Sequence, residues 1–332
     1  MSQTIKEIGE QGLLKIIKQF CPSNIIGDDG AVLATDKNKL LVTTTDVLVE
    51  NVHFSKITTS SYDIGWRSCA ANLSDIAAMG ALPLGLTVGL SLPPNTQVNY
   101  IKEIYQGLAE CCQQYNCDII GGDICKSSTI TIAITALGEV LPNQVISRFT
   151  AKAGDVILVT GSHGGSKGGL ELLLDKNLGK NLTLVEQQEL IKMHQRPQPR
   201  LDIINSLWDN HPNITISGMD SSDGLADAII QICSSSKVGA NININSIPIP
   251  ESLRKLAGEQ KALEYALYGG EDFELVLCLP STSAQNLTKK LGKDCKIIGE
   301  IIEENEIILQ NNINLSKFSN LTLEKGFQHF QE

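Results

Sequence analysis

The stretch LLVTTTDVLVENVHF, Leu40–Phe54, begins as a β-rich run and meets an aspartate at Asp46. Threonine and valine favour an extended backbone, so a strand is expected over Leu40–Val47, closing at the acid. The same juxtaposition recurs in NIIGDDGAVL at Asn24–Leu33, NLSDIAAMGA at Asn72–Ala81, IIGGDICKS at Ile119–Ser127 and GMDSSDGLAD at Gly218–Asp227. One aspartate at a turn is ordinary, because its carboxylate accepts backbone hydrogen bonds there and at helix caps. The repetition asks for a common cause.

Outward from that strand the pattern alternates. Ser60–Met79 reads as a helix: Ser60 or Ser61 can cap it, Tyr62, Cys69, Leu73 and Ile76 share a face, and Gly80 stops it. Strands are expected at Leu84–Leu92, at a short Asp118–Ile120 closing on Gly121-Gly122-Asp123, and at Thr129–Val140, with a helix over Val98–Tyr115. After SRFTAKAGD the pattern restarts with a strand at Val156–Thr160 and the Gly-rich GSHGGSKGG. Helices follow at Leu170–Leu174, Val185–His194 and Arg200–Trp208, the last two separated by RPQPR. A helix at Asp223–Ser234 and strands at Thr215–Met219, Ala240–Asn245, Phe273–Leu279, Lys296–Ile302 and Glu306–Leu309 complete the set. Both halves mix strands and helices, so each is expected to be an α/β or α+β layer structure. The chain's 332 residues suit about two domains. The division is expected near residues 146–152, giving domains 1–148 and 149–332.

Composition narrows the function. The hydrophobic share is 42% and the charged share 19%, which fits a globular chain. Net charge is −10 and no Lys/Arg cluster stands out, so nucleic acid is not an expected partner. The N-terminal MSQTIKEIGEQGLLKIIKQF reads as an amphipathic helix, and no run approaches the ~18 apolar residues of a membrane span. The nine cysteines form no C-x-x-C pair, so they read as small core residues in a reducing cytoplasm. Cys125, beside Asp123 in a Gly-rich turn, stands apart from that description.

Common nucleotide and metal motifs fail. GSHGGSKGG is not a Walker A loop, no GxGxxG is present, and an EF-hand from Asp220 would need glycine where Leu225 stands. No G-x-S-x-G elbow occurs and the histidines lack zinc spacing. His53 taken alone reads as a structural histidine. The acids remain: Asp28, Asp29, Asp46, Asp75, Asp123, Asp220 and Asp223. Strand ends of a layered fold converge on one edge, where ligands bind. Carboxylates gathered there repel one another unless cations intervene, and oxygen-only ligands favour Mg²⁺. Several Mg²⁺ ions among carboxylates and glycines make a site for a nucleoside triphosphate.

At this point IGDDGAV, TTDVLVENVHF, ANLSDIAAMGALP, IIGGD, RPQPR, DSSDGLADA, YGGEDFEL, IIGEI and KGFQHF together resemble the thiamine-monophosphate kinase family. That family lies within the aminoimidazole ribonucleotide synthetase-like ATP-binding group. The resemblance runs in order over nearly the whole chain. It implies a two-domain fold whose N-terminal sheets pair across a homodimer into a barrel, with ATP as co-substrate and thiamine monophosphate as acceptor. Position by position it implies magnesium ligands at Asp29, Thr44, Thr45, Asp46, Asp75, Asp123, Asp220 and Asp223. It implies ATP contacts at Gly122, Asp123, Arg148 and Ser222, and acceptor contacts at His53, Glu271 and Phe327. Asp46, Asp75, Asp123 and Arg148 are the expected catalytic set. Relatives commonly read Gly-Gly-Asp-Thr-Thr where this chain has Gly121-Gly122-Asp123-Ile124-Cys125, so two threonine hydroxyls are missing from that loop.

Two other functions fit the same features. One is another ATP-dependent synthetase of the group, although the chain lacks the reactive N-terminal Cys of selenophosphate synthetases and ends in HFQE, without a terminal cysteine. The other is a non-catalytic ATP/Mg²⁺-binding protein.

Overall fold

A computed structural model describes residues 3–25, 31, 33–175, 177–208, 214–311 and 321–326. The chain divides into two compact units, Met1–Ile76 with Ala81–Leu141, and Ala77–Gly80 with Pro142–Glu332. Residues 142–148, expected in the first domain, therefore belong to the second unit.

The first unit contains α1 (Ile5–Ile17), β1 (Leu40–Val49), α2 (Ser61–Ala78), β2 (Leu82–Leu92), α3 (Val98–Gln114), β3 (Ile119–Lys126) and β4 (Thr131–Val140). Its four-stranded sheet has the order β1-β4-β2-β3, with β1 and β3 at opposite edges. β4 runs antiparallel to both neighbours, and β2–α3–β3 is a parallel crossover. Alternation along β4 buries Ile132, Ile134 and Ala136, while Thr131, Ala133 and Thr135 stay on the other face. Ile64, Leu73 and Ile76 of α2 and Ile101, Ile104 and Leu108 of α3 are buried as well. The opposite face is open: Leu41 is 60% and Val47 46% exposed.

The two helices touch backbone to backbone. A Cβ added at Gly65 would lie 1.9 Å from the Ile104 carbonyl oxygen, and one added at Gly107 1.9 Å from that of Tyr62. Neither obstacle is a flexible side chain, so the helices would have to separate and the core between them would loosen. Gly107→Ala is expected to cost about 3 kcal/mol or more and to lower Tm by about 10 °C, read by thermal unfolding.

The second unit contains β5 (Asp155–Thr160), α4 (Gly165–Leu174), α5 (Leu184–Gln195), α6 (Leu201–Trp208), β6 (Ser217–Asp220), α7 (Leu225–Ser236) and β7 (Gly239–Asn243). It continues with α8 (Glu251–Ala257), α9 (Glu259–Tyr268), β8 (Leu275–Pro280), α10 (Ser281–Leu291), β9 (Cys295–Ile302) and β10 (Ile307–Gln310). Its six-stranded sheet has the order β10-β7-β9-β5-β8-β6 and is antiparallel except at β10–β7. α7 packs on it through Leu225, Ala228, Ile229 and Ile232, which join Val159, Val276 and Ile298 in one buried cluster.

Three expectations change. Asp46 and Asp123 do not end strands; each lies within one, because Val47–Val49 continues the β pattern and Gly121–Gly122 does not stop it. Gly122 is needed within β3, since a Cβ there would lie 2.1 Å from the Val88 carbonyl oxygen. α4 starts at Gly165, inside the Gly-rich run, and not at Leu170. Asp220 alone of the three acids ends its strand as expected.

Candidate active site

In the first unit β1 presents Thr44 and Asp46 to one turn of α2. The Thr44 hydroxyl donates to the Asp75 carboxylate, and the Asp46 backbone N–H donates to Asn72 Oδ1 at 3.1 Å. Asn72 is fully buried and its Nδ2 donates to the Ser68 carbonyl at 3.0 Å, so the turn carrying Asp75 is fixed against the strand. Thr45 points to the opposite face, where its hydroxyl pairs with that of Thr135 at 2.8 Å. His53 follows β1 and accepts the Val49 N–H at Nδ1, 3.1 Å away.

Asp123 is elsewhere. Register runs Asp46–Ile134–Val88–Gly122 across the sheet, so three strand spacings, about 14 Å, separate Asp46 from the start of the Gly122–Asp123 pair. Asp123 lies opposite Gly89, on the open face, whereas Asp46 shares the helix-covered face with Ile134 and Val88. Two donors of one oxygen-liganded ion stand only about 4 Å apart. The first unit thus brings Thr44, Asp46 and Asp75 together and leaves Thr45 and Asp123 apart from them. Among the described residues no three His, Cys, Asp or Glu side chains form a metal-holding group. Asp28, Asp29 and Phe327 lie outside the described residues.

In the second unit Asp220 ends β6, and the turn Ser221–Gly224 leads into the N-terminus of α7. Ser222 Oγ donates to Asp220 Oδ1 at 3.1 Å, and Asp223 is exposed. A twelve-residue helix carries unpaired N–H groups and partial positive charge at this end, which suits a phosphate. The Arg148 guanidinium donates to Gln231 Oε1, and Gln231 Nε2 donates to Asp227 Oδ2 at 2.6 Å, so the arginine is tied to α7.

The 269–274 loop is laced to that turn. Glu271 N–H donates to the Ser222 carbonyl at 2.6 Å, and Ser221 N–H to the Glu274 carbonyl at 2.8 Å. Glu271 and Phe273 both hold left-handed backbone, with φ of 58° and 54°. Such residues cost about 1–3 kcal/mol each and cluster at ligand sites. Asp272 between them is half-buried and accepts the N–H groups of Gly164 and Ser166, at 2.6 and 2.9 Å. Burial raises its pKa to about 7, against the lowering pull of those two donors. Below the loop Glu274 meets Arg200 Nη1 at 2.7 Å and the Thr160 hydroxyl at 2.6 Å.

Several of these residues escape motif reading. Asn72 lies inside NLSD and Asp272 beside Glu271, both within motif stretches. Their roles depend on partners far along the chain. The sequence signal that remains is the pairing of an acid-rich YGGEDFEL with glycines at 164, 165, 168 and 169.

The AIR synthase related protein family matches on both sides of the division, its N-terminal domain over residues 27–140 and its C-terminal domain over 152–311. A thiamine-monophosphate kinase of Synechococcus elongatus is 46% identical over 99% of this chain and 98% of its own length. The chain belongs to the thiamine-monophosphate kinase family. A crystal structure of the Stenotrophomonas maltophilia thiamine-monophosphate kinase is 32% identical with a TM-score of 0.79, covering 90% of this chain and 95% of that one. A second structure, "AaThiL complexed with AMPPCP and TMP", is 32% identical with a TM-score of 0.73, covering 93% of this chain and 96% of that one. The two-domain fold expected of a thiamine-monophosphate kinase is present, with one mixed sheet in each unit. No described helix is long and apolar enough to cross a membrane.

Proposed function

We propose that this chain transfers the γ-phosphoryl group of ATP to thiamine monophosphate, giving thiamine diphosphate and ADP. The observation that carries this is full-length relationship to enzymes of that name, joined to a phosphate-suited turn at Asp220–Gly224 hydrogen-bonded to the strained loop of Glu271.

The acceptor is a phosphate monoester whose second pKa is about 6, so most of it is a dianion at neutral pH. It needs no general base, and transfer proceeds in line without a covalent enzyme intermediate. The difficulty is bringing two polyanions together. Thr44, Asp46 and Asp75 in one unit and Asp220 and Asp223 in the other offer oxygen donors only, the set that fits Mg²⁺. Mg²⁺ held by either group would supply positive charge against the substrate phosphates. Arg148 adds fixed positive charge for the nucleotide once released from Gln231, and Ser222 and the α7 N-terminus receive its phosphates. The family resemblance assigns Glu271, His53 and Phe327 to the acceptor, and an aromatic residue at 327 would suit the cationic thiazolium. The cytoplasm is the compartment that fits nine free thiols.

The working form is a homodimer. The open face of the first unit's sheet carries exposed Leu41, Val47 and Leu82, and a second copy of the same sheet would cover them. In the barrel that the resemblance implies, the β1 edge of one copy pairs with the β3 edge of the other, so the strand of Asp46 lies beside the partner strand that carries Asp123.

The test is an acceptor screen of the full-length protein with ATP and Mg²⁺, reading ADP and the phosphorylated product. Thiamine monophosphate is expected to give thiamine diphosphate at a kcat/KM at least about 10²-fold above any other phosphate monoester. ADP release unchanged by thiamine monophosphate would reject the assignment.

A further inference from the structure

Outside the expected site residues, His194 is a buried histidine whose contacts lead to one of them. α4 and α5 approach closely because α4 is rich in glycine. A Cβ at Gly169 would lie 2.1 Å from the Leu190 carbonyl oxygen, and one at Gly165 2.3 Å from Met193 Sδ. That approach brings His194, in the last turn of α5, onto the first turn of α4. Its Nδ1 stands 3.1 Å from the Ser166 hydroxyl and 3.7 Å from Glu271 Oε2. Ser166 N–H in turn donates to Asp272, the residue next to Glu271. Glu271, Asp272, Ser166 and His194 therefore close a ring around the left-handed stretch of the 269–273 loop.

The ring is asymmetric in exposure. The His194 side chain is 2% accessible, whereas that of Glu271 keeps 34%. The carboxylate thus has a buried imidazole on one side and solvent on the other, a position from which it can meet a ligand. We propose that His194 is a positioning residue: with Ser166, it holds the Glu271 carboxylate in the orientation that receives the acceptor substrate, and so governs acceptor affinity rather than nucleotide affinity. The inference rests on Glu271 facing the acceptor. Imidazole is suited to the task because its ring is rigid, two torsions fix its direction, and Nδ1 serves the hydroxyl and the carboxylate from one atom. Nδ1 is within hydrogen-bond distance of the Ser166 hydroxyl, and the Glu271 carboxylate stands next to it at ion-pair distance. His163, the other buried histidine of this region, offers no such path: neither ring nitrogen has a hydrogen-bond partner, and burial lowers its pKa to about 4.

The experiment is steady-state kinetics of full-length wild type, His194→Ala, His194→Asn, Ser166→Ala, Glu271→Gln and the His194→Ala/Glu271→Gln double variant. ATP and thiamine monophosphate are varied in turn, and thermal unfolding checks each protein. His194→Ala is expected to raise KM for thiamine monophosphate about tenfold, with KM for ATP and kcat within about threefold of wild type. Ser166→Ala is expected to raise the same KM about threefold. His194→Asn, whose amide nitrogen or oxygen takes the place of Nδ1, is expected to recover most of the loss. The double variant should be no worse than Glu271→Gln alone, because His194 acts through that carboxylate.

Equal rises in both Michaelis constants, no recovery with asparagine, or additive losses in the double variant would overturn the inference. If His194→Ala does not fold, His194→Asn and Ser166→Ala decide: a selective acceptor effect in Ser166→Ala with near-normal His194→Asn supports it, and an unchanged acceptor KM in Ser166→Ala overturns it. An unchanged acceptor KM in Glu271→Gln removes the acceptor role of Glu271 and the inference with it. A rise there, with none in the His194 and Ser166 variants, overturns the inference alone.

Discussion

Asp75→Asn lowers kcat by about 10³-fold while the protein still folds. The replacement keeps the size of the side chain and one acceptor oxygen for the Thr44 hydroxyl, so the contact between β1 and α2 survives. The loss is one negative charge at the place where Thr44, Asp46 and Asp75 converge. Without it the turn binds divalent cations less strongly, and the repulsion between two phosphate-bearing substrates goes uncompensated. Removing a single preorganised electrostatic group from an active site costs about 10²–10³ in turnover, and a metal-holding carboxylate belongs at the upper end of that range. Turnover measured across a Mg²⁺ titration, with a thermal melt on the same sample, checks both halves of the expectation. A folded variant with activity within about threefold of wild type would remove Asp75 from the catalytic set.

Mixing two inactive variants restores activity. Asp46→Asn and Asp123→Asn are each expected to fall by about 10²–10³-fold alone. If a complete site takes Asp46 from one copy and Asp123 from the other, a mixed dimer holds one site with both acids intact and one with neither. Random exchange makes half of all dimers mixed, so about a quarter of wild-type activity returns. The basis is the sheet order, which puts β1 and β3 at opposite edges of one chain and next to each other where two copies pair edge to edge. Acids serving one site within one chain would give no recovery at any mixing ratio. The measurement is activity against mixing ratio after subunits are allowed to exchange, with light scattering to follow the dimer.

Parts of this were open to reading from the sequence, and the reason differs by element. β1, α2 and α3 carry strong periodicity over ten or more residues, and their observed ends lie within one or two residues of the expected ones. β3 was cut short because glycines at 121 and 122 look like a turn. They serve instead as the place where β2 comes too close for a side chain. α4 was shortened for the same reason: its glycines mark close helix packing against α5. Glycine in one chain cannot reveal whether it frees the backbone or admits a neighbour, since the neighbour lies elsewhere in the sequence. α8, α9 and α10 each begin just after a glycine or proline, which reads locally as loop and hides the helix that follows.

The aspartates divide in a similar way. Their number and their glycine-rich settings signalled a site for phosphate. That Asp46 faces Asn72 and Asp75, while Asp123 stands at the far edge, follows from strand register. Register is set by pairing between distant segments, and residue types alone do not give it.

The bond from Glu271 N–H to the Ser222 carbonyl joins, through their main chains, the two loops proposed to meet the nucleotide and the acceptor. Whatever settles the turn at 221–224 also settles the residue at 271, so part of the ordering entropy owed by the second ligand has already been spent by the first. On that proposal each substrate would tighten the grip on the other, by the same factor in either order of arrival. A side-chain substitution leaves this link in place, because it belongs to the peptide backbone.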